Sequence, residues 1–216
     1  MTKRIGRLHV LTNETVQSRF THAELAEMAI AGGADTIQFR EKKRSTKELV
    51  AIAESLRRVC RARNVPLIIN DRVDIALAVD ADGVHLGQRD LPVAVARKLL
   101  GPEKIIGGTA ATLDEAIAVQ NEGADYLGFG HIYSTTSKQK HGAPKGPAAL
   151  AEICGALAIP VIAIGGIDQE NFLSVFDAGA WGIAVIASVC AAPDPTLAAR
   201  ELKNGIDSKF RQRSES

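Results

Sequence analysis

The strongest constraint on the fold is an alternation. Eight short apolar runs take turns with eight stretches of helical periodicity. The runs lie at 7–12, 35–41, 66–71, 83–87, 104–109, 125–132, 160–165 and 182–187, and the helical stretches at 22–31, 46–63, 72–79, 92–99, 112–122, 146–157, 168–177 and 194–210. Short runs rich in Val, Ile and Leu between turn residues read as strands buried on both faces. Strands of that kind, each followed by a helix, predict a parallel sheet, because a parallel pair needs a long crossover. Eight such units predict an α/β fold closed into a single-domain (β/α)8 TIM barrel. An open doubly wound sheet is the competing arrangement. Against it, the first βα unit lacks a glycine-rich strand–turn–helix fingerprint with a following acid.

Local signals agree with that alternation. Ser45 or Thr46 with Glu48, Thr112 before Asp114-Glu115, and Asp168 before Gln169-Glu170 are helix starts. In 46–63, Leu49, Ile52, Ala53, Leu56, Val59 and Cys60 form one stripe, with Lys47, Glu54, Arg57, Arg58 and Arg61 largely opposite. Three helix-to-strand joints carry related glycine turns, at 31–35, 122–125 and 178–181, where glycine ends a helix in a left-handed cap. No composition shift divides the chain. Residues 1–216 are read as one domain, with a core of about 7–205 and a frayed tail over about 206–216. The longest irregular segment, 133–146, has the length and composition of a functional loop or lid.

Charge and cysteine usage narrow the function classes. A net charge of +1 gives no general pull towards nucleic acid or membrane, so any anion binding is local. The three cysteines are far apart and form no CxxC or Cys/His metal spacing, which suits small buried residues in a reducing cytoplasm. No apolar h-region follows the N-terminal cations and no run spans a membrane, so the expected location is cytoplasmic. Composition leaves a homo-oligomer open.

Polar residues gather where the expected strands end. Gln38, Arg40 and Lys42 alternate along the second strand, Ile37, Phe39 and Glu41 taking the other face. Inward cations need an anionic partner, which makes this stretch a receptor for an anion. Asn70-Asp71, Gln88-Arg89-Asp90, Thr109, His131 with Thr135, Thr136, Ser137 and Lys138, and Gly165-Gly166 occupy further strand ends. A barrel's site lies at those carboxyl ends. Asp71 and Asp90 suit either helix N-caps or a shared Mg²⁺, whose shell is oxygen. Gly165-Gly166 before Asp168, with Ile186-Ala187-Ser188 from the last strand, has the form of a backbone phosphate cradle. Two separated anion sites suggest two substrates or one long bisphosphate.

The segments QFREK (38–42), INDRVDIAL (69–77), ADGVHLGQRD (81–90), ADYLGFGHIYSTTSK (124–138) and AIGGI (163–167) resemble, in order and spacing, the thiamine phosphate synthase family over about residues 7–200. The resemblance implies a transferase that joins hydroxymethylpyrimidine diphosphate to thiazole phosphate and releases pyrophosphate, with no protein nucleophile or base. It implies that Gln38, Phe39, Arg40, Glu41, Lys42, Asn70, Thr109 and Lys138 meet the pyrimidine diphosphate. Asp71 and Asp90 would hold Mg²⁺. Thr135, Thr136, Ser137, Gly166, Ile186 and Ala187 would hold the thiazole phosphate. Two departures stand out: Gly107-Gly108-Thr109 where the family usually has Gly-Val-Ser, and Gly130-His131-Ile132-Tyr133-Ser134-Thr135 where it commonly has a proline after the glycine. His131 is similar to the proton-transfer histidine of the sister thiazole tautomerases. A tautomerase, or a non-catalytic thiazole-phosphate binder, is therefore the alternative. The full cation set and both aspartates favour the synthase.

Overall fold

The computed structural model describes Lys3, residues 5–135 and residues 142–212. Among these, eight parallel strands close into one barrel in sequence order: β1 (Leu8–Thr12), β2 (Thr36–Phe39), β3 (Leu67–Asn70), β4 (Gly83–Leu86), β5 (Ile105–Ala110), β6 (Tyr126–Gly130), β7 (Val161–Ile164) and β8 (Gly182–Val185). The helices between them are α1 (His22–Ala31), α2 (Thr46–Ala62), α3 (Val73–Ala78), α4 (Val93–Leu100), α5 (Leu113–Asn121), α6 (Gly146–Ala156) and α7 (Phe172–Asp177). A short α8 (Ala187–Cys190) and the long α9 (Pro195–Gln212) follow β8.

The period-two alternation divides the core in two. Leu8, Val10, Ile37, Phe39, Leu67 and Ile69 face outward and pack with helix residues such as Leu25, Leu56 and Cys60. Leu11, Ile68, Ile105, Tyr126 and Ile162 point inward and fill the barrel. Gly107 makes room for that filling, since a Cβ there would lie 2.1 Å from the Tyr126 ring. Burial raises the thiols of Cys60 and Cys190 to about 12, and the Cys154 thiol to about 11. All three are free, as expected of apolar packing residues.

The Gly-Ala-Asp joints do more than stop helices. Gly33, Gly123 and Gly179 take left-handed φ of 100°, 92° and 91°. The Asp that follows the first two reaches back to the neighbouring strand: Asp35 Oδ2 accepts from Leu8 N at 3.0 Å, and Asp125 Oδ2 from Ile106 N at 2.8 Å. Asp82, before β4, accepts from Leu67 N in the same way at 2.8 Å. These carboxylates satisfy strand-start N–H groups at the end of the barrel opposite the mouth.

Three expectations are corrected. β2 stops at Phe39, so Arg40, Glu41 and Lys42 belong to the following loop rather than to a strand reaching 41. The helix expected from Asp168 begins at Phe172. Asp168 Oδ1 instead accepts from Glu170 N and Asn171 N, a local turn that delays the helix. The turn α8 lies inside a stretch read as strand and connection; it is too short for a periodicity signal. By contrast, Ser45 and Thr112 cap α2 and α5 as expected, Ser45 in a reciprocal capping box with Glu48.

Candidate active site

The carboxyl ends of the strands form one mouth with two poles. At the β2–β4 pole, Gln38 is buried on the inner face and lines an interior cavity of about 40 Å³ with His9, His85, Thr109 and Tyr126. Arg40 follows one turn of the pleat above it. Its guanidinium is half-buried and, among the described residues, makes no hydrogen bond or ion pair. Burial lowers its pKa from the ordinary arginine value. Lys42 is exposed and pairs with Asp71. Burial, then Arg40 and more weakly Arg89, depress the Lys42 ammonium, while Asp90 opposes them. Cations crowded beyond what local carboxylates neutralise are the electrostatic form of an anion site.

The carboxylates beside them are not helix caps. Asp71 sits in the left-handed region, φ 64°, and the α3 cap position is Arg72, with no side-chain cap bond. Its backbone N–H donates to His85 O at 2.8 Å, and Asn70 Nδ2 donates to its Oδ1. Asp90 Oδ2 accepts from Gly87 N at 2.6 Å, and α4 is preceded by Pro92, again without a side-chain cap. A non-glycine residue at positive φ is strained by about 1–3 kcal/mol and concentrates at functional sites. The N-cap alternative for both aspartates therefore fails; Asp71 pairs with the Lys42 ammonium and Asp90 adds to the negative field on it.

Thr109 is tied into a network that the sequence reading missed. His85 Nε2 lies 2.7 Å from Thr109 Oγ1, and His85 Nδ1 lies 3.1 Å from Tyr126 Oη. Gln88 Nε2 donates to Thr109 O at 2.6 Å. The legible signal was the alternation Gly83-Val84-His85, which turns His85 inward.

At the β6–β8 pole, a cavity of about 520 Å³ is lined by His131, Thr135, Gly166, Ile186, Ala187 and Ser188, among others. Gly166 has φ 66°, and a Cβ there would meet Ser134 O at 2.4 Å, so the turn admits only glycine. His131 is 7% exposed. Ser188 Oγ is buried without a hydrogen-bond partner among the described residues. Thr136, Ser137 and Lys138 lie outside the described residues, as does the middle of the expected lid, 136–141.

Glu41 departs from the expected diphosphate set. Its Oε1 accepts from Lys42 N and Lys43 N at 2.6 and 2.7 Å, and Oε2 faces His22 on α1. Burial favours its neutral form, but the Lys43 and Lys42 N–H groups together with His22 hold its carboxyl below the usual range. It anchors the loop that carries Arg40 and Lys42. Phe39 likewise points away from the mouth and packs edge-on against His22, ring centroids 4.9 Å apart.

Fold and mouth together define a (β/α)8-barrel enzyme whose strand ends form two separate poles. A family model described as thiamine monophosphate synthase matches residues 8–189. The thiamine-phosphate synthase of Salinibacter ruber is 50% identical over 210 residues, 97% of this chain and 92% of that protein. That of Chlorobium luteolum is 53% identical over 179 residues, 83% of this chain and 84% of its own. Thiamine phosphate pyrophosphorylase from Pyrococcus furiosus superposes with a TM-score of 0.86 at 38% identity, covering 94% of this chain and 96% of that one. The chain belongs to the thiamine monophosphate synthase family. Among the described residues no helix is long and apolar enough to cross a membrane.

Proposed function

We propose that the β2–β4 pole takes the diphosphate of the hydroxymethylpyrimidine substrate and the β6–β8 cavity takes the thiazole phosphate. The observation that carries this reading is the Arg40 guanidinium beside Lys42, half-buried and itself without a partner among the described residues. Such a cation is costly unless an anion arrives. Gln38 and Thr109, at the base of that pole, face the pyrimidine. Gly166 and the Ile186–Ser188 segment meet the phosphate of the second substrate, and the orphaned Ser188 hydroxyl gains an acceptor there.

Heterolysis of the pyrimidine C–O bond leaves positive charge on the methylene and negative charge on the departing diphosphate. Arg40 and Lys42, aimed beforehand at the leaving group, stabilise that negative charge as it develops. Lys138 has the same role. The thiazole nitrogen supplies the electron pair for the new C–N bond, and pyrophosphate departs, so the protein needs no nucleophile. The cavity orients the thiazole and excludes water from the cationic carbon. Asp71 and Asp90 fit Mg²⁺: both are oxygen donors, neither is spent on a helix cap, and a cation already occupies their shared field. When bound, Mg²⁺ would neutralise diphosphate charge. The same reading places the protein in the cytoplasm, where its free thiols stay reduced.

The test is incubation with both substrates and Mg²⁺. Thiamine phosphate and pyrophosphate should form in equal amounts, and their absence would overturn the reading. The buried His131 in the thiazole-side cavity supports a second reading, proton transfer on the thiazole. That reading predicts metal-independent tautomerisation abolished in His131→Ala. Condensation that survives His131→Ala would separate the two.

A further inference from the structure

Behind the mouth, between the barrel and α1, three ligand-type side chains meet. His22 opens α1, Glu14 comes from the loop after β1, and Glu41 from the loop after β2. One atom of each lies within 4.8 Å of the others. His22 Nε2 is 3.8 Å from Glu14 Oε1 and 3.7 Å from Glu41 Oε2, beyond hydrogen-bonding reach of both. The imidazole is 1% exposed, and Nε2 is a buried polar atom with no hydrogen-bond partner among the described residues.

The remaining atoms of the three groups are already engaged. His22 Nδ1 lies 2.8 Å from Thr12 Oγ1. Glu14 Oε2 accepts from Arg44 at 2.7 Å, and Glu41 Oε1 from the Lys42 and Lys43 N–H groups. Phe39 holds the ring edge-on. Metal-ligating histidines are held by a bond from the other ring nitrogen, and ligating carboxylates by outer hydrogen bonds. Burial lowers the His22 pKa despite Glu14 and Glu41. With Nδ1–H donating to Thr12 Oγ1, Nε2 would turn its lone pair towards the two carboxylates, where a bound cation would take it up.

We infer that Glu14, His22 and Glu41 form a binding site for a first-row divalent cation of the zinc class. Imidazole nitrogen with two carboxylates suits such an ion better than Mg²⁺, which takes oxygen. A tetrahedral ion with bonds of about 2.1 Å sets its ligand atoms about 3.4 Å apart. The separations of His22 Nε2 from the two carboxylates, 3.7 and 3.8 Å, lie a few tenths of an ångström outside that figure. The fourth position would be water. The ion would clasp the loops after β1 and β2 to the start of α1, and so fix the segment that carries Arg40 and Lys42. It is separate from the Asp71/Asp90 pair and independent of the catalytic reading.

The test uses the whole chain, freed of metal and without substrates, in the Asp71→Asn/Asp90→Asn background so that the mouth carboxylates do not contribute. Titration with Zn²⁺ alone should show one equivalent bound. Co²⁺ in its place should give the visible bands of a low-coordinate ion. Binding should weaken by about 100-fold or more in Glu14→Gln and in His22→Ala. Glu14 is partly exposed, so its substitution tests the ligand set even if the His22 variant does not fold. An absent equivalent overturns the assignment, as does wild-type affinity in Glu14→Gln. Nitrogen NMR showing a His22 imidazolium bridging the carboxylates in the presence of Zn²⁺ also overturns it.

Discussion

His9 makes a sharp prediction about acid stability. It points into the barrel from β1, 2% exposed, with Nε2 3.0 Å from Gly6 O and Nδ1 buried without a partner among the described residues. Nε2–H therefore donates, and Nδ1 holds a bare lone pair. Burial lowers the pKa from 6.5 to about 4, against the opposing influence of Gly6 O and Asp35. The unfolded chain takes up a proton near pH 6.5, whereas the folded chain resists until about 4. Between those values the unfolded state binds more protons, so stability falls as pH falls. The slope is about 1.4 kcal/mol per pH unit, and the whole window is worth about 3 kcal/mol. Denaturant unfolding from pH 7.5 to 4.5 should show His9→Gln gaining on the wild type by between about 2 and 3 kcal/mol. The offset between the two proteins at pH 7.5 does not matter, because only the change with pH reports the proton. Stability curves that stay parallel within about 0.5 kcal/mol would refute the reasoning, as would a His9 ring that titrates near 6.5 by NMR.

Three further outcomes follow from particular contacts. Gly107→Ala drives a Cβ to within 2.1 Å of the Tyr126 ring and should cost about 1–3 kcal/mol in unfolding experiments, with partial recovery when Tyr126→Leu is added. Asp71→Asn keeps a residue that tolerates the left-handed backbone but loses the charge; kcat should fall about 10²–10³-fold, and the Mg²⁺ dependence of the rate should flatten. Gly166→Ala, at φ 66° against Ser134 O, should raise KM for the thiazole phosphate more than for the pyrimidine diphosphate in steady-state kinetics.

The barrel was legible because each level of the sequence pointed the same way. Apolar runs alternated with helical stripes, capping residues opened α2 and α5, and glycines at 33, 123 and 179 closed the helices before them. Most of the mouth was legible for the same reason, since strand ends in a barrel converge. What escaped depends on contacts distant in sequence. Glu41 joined the expected diphosphate set only through the family resemblance, but β2 ends at Phe39 and the backbone turns Glu41 towards His22. Pairing of Thr12 with Phe39 brings the β1 and β2 loops together, and no local pattern records that neighbourhood. His85 is a single polar residue in an apolar strand, and only the closed barrel gives it Thr109 and Tyr126 as partners. The Asp168 start was misplaced because an Asp that caps a turn looks the same in sequence as one that caps a helix.

The most direct measurement of the central claim is condensation kinetics of Arg40→Gln with both substrates and Mg²⁺. If Arg40 awaits the departing diphosphate, kcat/KM for the pyrimidine substrate falls by about 10²–10³-fold while KM for the thiazole phosphate stays near its wild-type value. Wild-type turnover in Arg40→Gln would contradict the account, and so would a loss confined to the thiazole phosphate KM.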